Sequence, residues 1–127
     1  MTPSTRINWI ARSALAFIFG YHGLVPKLLW LSPGERAMIE AHGIRQVEAL
    51  AMVAGVFEVM LALWIVIAWR SAWPLAVAAL LLVGLLLDVA VFSPSLLVAA
   101  FNPVSLNVAG VALCAVAWNC REKTAYR

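Results

Sequence analysis

Residues 46–69 read QVEALAMVAGVFEVMLALWIVIAW. This stretch decides the fold class. Apart from Gln46, Glu48 and Glu58 it is apolar throughout. It is too long and alternates too little to be a strand. A helix needs about 20 apolar residues to cross the ~30 Å hydrocarbon core of a bilayer, and it satisfies its own backbone groups there. Three further runs of the same kind cover about 9–29, 71–92 and 94–118. The expected fold is therefore all-α, a four-helix transmembrane bundle forming one domain over residues 1–127.

Composition agrees. Of the 127 residues 65% are hydrophobic and 12% are charged, with a mean hydropathy of +0.95. A soluble domain is about half apolar and a quarter charged. Here too few polar side chains exist to cover a water-facing surface, so the expected partner is the lipid bilayer. The net charge of +3 reflects few acids rather than a basic patch, which argues against nucleic acid. Arg6 and Arg12 ahead of an apolar run imitate a signal peptide, but no small-x-small cleavage site follows, so this run is read as a retained span. Cys114 and Cys120 are six apart, which on a helix is about 9 Å of rise and ~240° of turn. That exceeds the reach of a disulfide, about 7 Å between Cα atoms, and both read as packing residues.

The breaks carry their own chemistry. Ser93-Pro94 reads as an N-cap with proline at the first position of span four. In the loop LSPGERAMIEAHGIR, residues 31–45, Ser32 and Glu35 have capping-box spacing, Pro33 follows the cap, and Gly43 is a stop. These predict a short helix from Pro33 to Ala41 lying on the membrane surface between spans one and two. Trp9, Trp69, Trp73 and Trp118 mark one interface and Trp30 the other. An even number of spans puts both termini on one side, with Arg6, Arg12, Arg70, Arg121, Lys123 and Arg127; Lys27, Arg36 and Arg45 fall on the other. Six against three predicts cytoplasmic termini.

Polar groups inside spans are costly and usually face the bundle interior. Depths counted from the termini-side tryptophans form two layers. Tyr21, His22, Glu58 and Asn107 lie at roughly 16–20 Å, and Lys27, Asp88 and Asn102 at roughly 22–27 Å. The cytoplasmic half reads as nearly all apolar. Stripes of small residues mark close helix contacts in membranes. Ser13, Ala16, Gly20, Gly23 and Lys27 share one. Ala51, Ala54, Gly55, Glu58 and Ala62 share another, and Ala99, Pro103, Asn107, Gly110 and Cys114 a third. Gly84 and Asp88 form a shorter one. These stripes aim Lys27 inward, toward Glu58 or Asp88.

His22 falls nearly across the helix from the Lys27 stripe. In YHGLVPKLLW, residues 21–30, Pro26 has no N–H for the His22 carbonyl, which predicts a kink there. Pro103 is expected to do the same to Ala99. Broken helices beside buried polar groups are how membrane proteins build small-ligand sites. The candidate ligand-binding residues are Tyr21, His22, Lys27, Glu58, Asp88, Asn102 and Asn107. Each has a plainer reading: a snorkelling lysine, a packing histidine, asparagines that join helices. His42 has no second ligand at helical spacing, so no metal site is expected. No nucleophile elbow, phosphate loop, dinucleotide fingerprint or zinc motif is present, so the chain carries no catalytic motif of its own.

Three stretches together resemble the DoxX-like integral membrane proteins: YHGLVPKLLW closing span one, AGVFEV in span two, and FSPSLLVAAFNPVSLNVAGVAL through span four. The likeness runs over essentially the whole chain and carries over onto Tyr21, His22, Gly23, Pro26, Lys27, Glu58, Asn102, Pro103 and Asn107. It implies four transmembrane helices in the bacterial inner membrane. Relatives in the wider group are subunits of membrane redox systems, such as thiosulfate:quinone oxidoreductase and assemblies linked to oxidative-stress defence. The resemblance thus implies a membrane subunit of a quinone-linked redox assembly, with redox partner subunits and a quinone or similar apolar ligand. The alternatives are a small proton-coupled transporter using Glu58, or a non-catalytic assembly protein. A homo-oligomer is compatible with all three.

Overall fold

The computed structural model describes residues 1–121. The described residues are mainly helical, in the order α1 (Pro3–Gly23), a π-helical segment (Leu24–Leu29), α2 (Pro33–Glu40), α3 (Val47–Ile67), α4 (Trp73–Phe92), a 3-10 turn (Pro94–Val98) and α5 (Pro103–Cys120). Helices α3, α4 and α5 are each long and apolar enough to cross a membrane. The fourth candidate is the unit Pro3–Leu29 joined to α2, which turns away from it by 86°. That turn is what a helix lying along the surface between spans one and two requires.

Helix α1 starts earlier than its apolar run. Thr2 is its N-cap, accepting from the Thr5 N–H, with Pro3 in the first turn. These polar ends carry no hydrophobic signal, which is why the apolar run alone begins the span at Trp9. Helix α2 is capped by Ser32, whose Oγ accepts from the Glu35 N–H at 3.2 Å. It closes through Ala41 into Gly43, whose φ of 73° is the left-handed conformation that glycine adopts without steric cost.

Helix α1 packs against both α3 and α5, and α4 packs against α5, while α3 and α4 touch only lightly. The buried apolar core lies in the half of the bundle nearest the termini. It joins Leu15 of α1, Ile65 of α3, Leu75 and Ala78 of α4, and Cys114 and Ala117 of α5. Large apolar side chains such as Phe17, Ile67, Leu80 and Val91 point outward, as lipid-facing residues must. Cys114 packs in the core, and Cys120 lies half-buried at the end of α5.

Span four differs from its expected extent of 94–118. Two prolines divide it. Pro94 starts only a short 3-10 turn, and α5 begins at Pro103. Ala99 and Asn102 are extended, Asn102 because a residue ahead of proline is pushed out of the helical region. The true N-cap is therefore Asn102 rather than Ser93, which ends α4. The expected stripe from Ala99 to Cys114 loses its first member, and the Ala99 carbonyl is not freed inside a helix. It accepts from Asn102 Nδ2 at 3.1 Å.

The expected kink at His22 takes another form. The chain continues as one helical unit, but the turn widens to π geometry, with the Trp30 N–H donating to the Val25 carbonyl at 3.1 Å. Widening absorbs the donor that Pro26 lacks without breaking the helix.

Candidate functional site

The close approach of α1 and α3 builds the site. A Cβ added at Gly23 would stand 2.5 Å from the Gly55 carbonyl, and one at Gly55 would stand 2.7 Å from the Gly23 carbonyl. Only glycine permits this contact at either position. On either side of it stand Lys27, from the π segment beside Gly55, and Glu58, from α3 beside Gly23. Lys27 Nζ lies 3.1 Å from Glu58 Oε2 and 3.1 Å from Glu35 Oε1 of α2. It also donates to the His22 carbonyl at 3.4 Å. The side chains of Lys27 and Glu58 are each 9% exposed and that of Glu35 14%.

An ammonium has three donors. All three are engaged, by two carboxylates and one carbonyl. The cluster therefore ties three segments together and holds one more negative than positive charge when both carboxylates are ionised. His22 takes part through its backbone, since its ring stands edge-on to Tyr21 at 6.3 Å.

Glu35 had a local explanation in the sequence, the capping box. The structure keeps half of that box. Ser32 caps the Glu35 N–H, while the Glu35 side chain leaves the cap for Lys27 and the Ser32 N–H donates to the Pro26 carbonyl. The signal that was available is a carboxylate one loop away from a buried lysine.

The other candidates do not converge on this cluster. Tyr21 is 50% exposed on the outer face of α1, near Phe17. Asn107 is buried and donates to the Leu82 carbonyl at 2.8 Å, joining α5 to α4. Asn102 is a helix cap that accepts from the Ser105 N–H. Asp88 faces the α2–α3 loop, where its Oδ1 lies 2.8 Å from His42 Nε2. The two expected layers thus resolve into one charged cluster and several separate contacts.

A cleft of about 210 Å³ opens beside the cluster, lined by Lys27, Leu28, Leu31, Glu48, Ala51 and Met52. Arg36 of α2 closes over its rim with a 2.6 Å bond to Glu48. A larger open groove of about 580 Å³ runs between Leu97 and the Val104–Ala112 face of α5, with Asn102 and Ser105 as its polar groups.

The model of the DoxX-like family matches residues 16–115. The chain belongs to the DoxX-like family. No curated protein and no solved structure matches it. The matched region of this DoxX-like chain takes in the whole Lys27 cluster.

A second buried polar cluster is built by two residues ahead of the matched region, Asn8 and Arg12, in the half expected to be apolar. Arg12 is fully buried. Its Nε donates to Asn8 Oδ1 at 3.0 Å, Nη1 to the carbonyls of Ile65 and Ala68 at 2.7 and 3.3 Å, and Nη2 to the Ser71 carbonyl at 2.5 Å. Asn8 in turn donates to the Trp69 carbonyl. The C-terminal carbonyls of α3, left without helical donors, are thus capped by a guanidinium from α1. In the sequence, Arg12 looks like one of several flanking charges that set orientation. Two of those, Lys123 and Arg127, lie outside the described residues.

His42 is the third site not anticipated. Its Nδ1 bonds the Met38 carbonyl at 2.8 Å, and its ring packs 4.1 Å from that of Phe92. The bond to Asp88, with the Met38 carbonyl second, holds its pKa above the ordinary value of 6.5. The DoxX-like fold thereby fastens its α2–α3 loop to the C-terminal end of α4.

Proposed function

We propose that this DoxX-like protein is a membrane subunit of a quinone-linked redox assembly, in which Glu58 and Glu35 accept a proton. The observation that carries this is the sharing of one buried ammonium by two carboxylates. With its three donors engaged, Lys27 has none to offer a quinone carbonyl. The carboxylates keep free lone pairs, so the site suits the hydroxyl of a quinol. Oxidising a quinol to a quinone releases two protons and two electrons. The carboxylate pair takes the protons one at a time and passes them to water at the outer surface. The electrons go to a redox centre on a partner subunit. The 210 Å³ cleft is below the ~300 Å³ at which small-molecule pockets usually begin. The ring is therefore enclosed only with a partner or lipid completing the wall, which favours a subunit over a free-standing enzyme.

This reading sets the chain in a bacterial inner membrane with both termini cytoplasmic. Arg6, Arg12, Arg70 and Arg121 then lie on the cytoplasmic side. The cluster faces the opposite surface, where α2 lies. The test is purification in native lipid discs, extraction and assay of bound quinone, and quinol oxidation by the isolated assembly. Wild type should retain quinone, and Glu58→Gln should slow oxidation while the quinone stays bound. Absence of quinone from wild type, with Glu58→Gln affecting only thermal stability, would assign the chain to assembly instead. Proton flux in liposomes without any quinone would assign it to transport.

A further inference from the structure

Helix α4 is held unevenly along its length. Near its middle it is fixed to α5, where Leu82 lies against Gly110 and its carbonyl accepts from Asn107. Beyond Leu82 only Val89 of α4 is buried, and nothing lies within 4 Å of a Cβ built at Gly84. Helices α3 and α4 touch only lightly. Asp88 and Phe92 stand about 9 and 15 Å further along α4 than Leu82. There His42, from the loop between α2 and α3, spans to both of them.

Both nitrogens of the His42 ring face acceptors. Nδ1 lies 2.8 Å from the Met38 carbonyl oxygen and Nε2 lies 2.8 Å from Asp88 Oδ1. A neutral imidazole has one N–H and one lone pair, and only imidazolium donates from both nitrogens. The two contacts together therefore require the doubly protonated ring. A neutral ring keeps one of them. If it keeps Met38, a lone pair faces the Asp88 carboxylate. If it keeps Asp88, a lone pair faces the Met38 carbonyl, and the ring loses the bond that aims it from α2. The ion pair is lost either way. The 4.1 Å contact with Phe92 weakens as well, because a cation gains from an aromatic face what a neutral ring does not. The His42 and Asp88 side chains are 27% and 36% exposed, so water reaches the pair and the ring exchanges its proton freely.

No second charge from α4 or beyond competes for the ring. Asp88 is the one charged residue of α4, and residues 93–120 carry none. On the other side of the seam, Arg36 is paired with Glu48 and Glu40, and Glu35 with Lys27. Arg45 follows in the loop itself. These groups belong to α2, α3 and their loop, so none of them ties His42 to α4.

We propose that His42 is a proton-operated latch, which in its doubly protonated form ties the α2–α3 loop to the C-terminal end of α4 and closes the seam between α3 and α4 there. Loss of one proton releases that end, and α4 swings from α3 about its fixed contact with α5 at Leu82. The latch is shut in acid. The raised pKa of His42 places its opening above the ordinary value of 6.5. It needs no ligand and does not depend on the quinone reading. With cytoplasmic termini, the pH it reads is that outside the inner membrane.

The full chain, carrying Cys114→Ala and Cys120→Ser, is placed in lipid discs with nitroxide labels at Leu50→Cys on α3 and Val91→Cys on α4. Both positions are exposed. Label distances are read by double electron–electron resonance at about pH 5.5 and about pH 8.5, on either side of the ordinary histidine value. In acid one short distance should dominate, and at the higher pH a longer one should grow roughly tenfold relative to it. Asp88→Asn should flatten the response, because an amide accepts from the protonated ring and donates to the neutral one. His42→Gln should show the longer distance at both pH values, and Glu40→Gln should respond as wild type does. Variants are compared at equal helicity by circular dichroism. The proposal is overturned if wild type gives the same distances at both pH values or if the longer distance grows in acid. It is also overturned if Asp88→Asn retains the wild-type response.

Discussion

Replacing Gly23 with alanine adds one methyl group at the tightest helix crossing in the molecule. That Cβ would stand 2.5 Å from the Gly55 carbonyl oxygen, 2.9 Å from Glu58 Cβ and 3.1 Å from Val59 Cγ2. Two of the three neighbours are backbone or Cβ atoms, which cannot rotate away. Ordinary contact begins near 3.4 Å, so α1 and α3 must part by about 0.9 Å along this direction. The Lys27–Glu58 bond, now 3.1 Å, would stretch toward about 4 Å, beyond hydrogen-bonding range. Overpacking costs about 1–3 kcal/mol, and a charged hydrogen bond lost from a buried site about 1.5–3 kcal/mol. Alanine returns up to about 1 kcal/mol in helix propensity. The net expectation is a loss of roughly 2–4 kcal/mol. Gly84→Ala is the matched control, because nothing lies within 4 Å of a Cβ there. It should be neutral or stabilising by up to about 1 kcal/mol. Thermal unfolding in detergent, followed by tryptophan fluorescence, separates the two variants. If Gly23→Ala unfolds alongside Gly84→Ala, the crossing is not as close as described, and the reasoning that brings Lys27 to Glu58 fails with it.

Three other perturbations follow from the same contacts. Lys27→Met leaves two buried carboxylates facing each other and should lose about 3–5 kcal/mol. Adding Glu58→Gln in the same chain should restore part of that, and a double variant no more stable than Lys27→Met alone in thermal unfolding would contradict the pairing. Arg12→Met strips the donors from the carbonyls of Ile65, Ala68 and Ser71 and should cost about 3 kcal/mol or more. Arg12→Lys should recover only part, because a single ammonium cannot span the fork; full recovery would show that charge alone matters. The His42–Asp88 contact gives a pH dependence of known sign. The folded-state pKa of His42 is raised, so its stabilising contribution is complete below the unfolded value of about 6.5 and fades as pH rises through the folded value. Hydrogen exchange of residues 41–46, corrected for intrinsic rates, should show protection falling as pH rises above about 6.5 in wild type and staying flat in His42→Gln. A flat wild-type profile would refute the link.

The spans were legible because a bilayer imposes one requirement on all of them, a length of apolar helix. The surface helix was legible because its start and stop are local chemistry, Ser32-Pro33 and Gly43. The extent of span four was not, because Pro94 and Pro103 each make a plausible first helical residue and hydropathy does not choose between them. The structure starts α5 at the second, where Asn102 supplies both a cap for Ser105 and a donor for Ala99. Arg12 and Glu35 were hidden for a shared reason. Each already had a sufficient local explanation, a flanking charge in one case and a capping box in the other.

Which polar residues meet depends on how far each helix is rotated about its axis, and hydropathy fixes that angle poorly when both faces are apolar. Small-residue stripes do fix it where they are used on both sides. Gly23 and Gly55 each press against the other's carbonyl. That mutual contact leaves little freedom to rotate either helix. The helices run antiparallel, so Lys27 stands beside Gly55 on one side of the contact and Glu58 beside Gly23 on the other, and the long Lys27 side chain spans between them. Helix α4 offers only Gly84, which touches nothing within 4 Å. Its rotation is set against α5 instead, where Gly110 lies against Leu82 and Asn107 donates to the Leu82 carbonyl. The stripe therefore did not direct Asp88 to Lys27, and Asp88 pairs with His42 from the loop. The glycine pair, more than the charged residues it brings together, is therefore the feature that specifies this site.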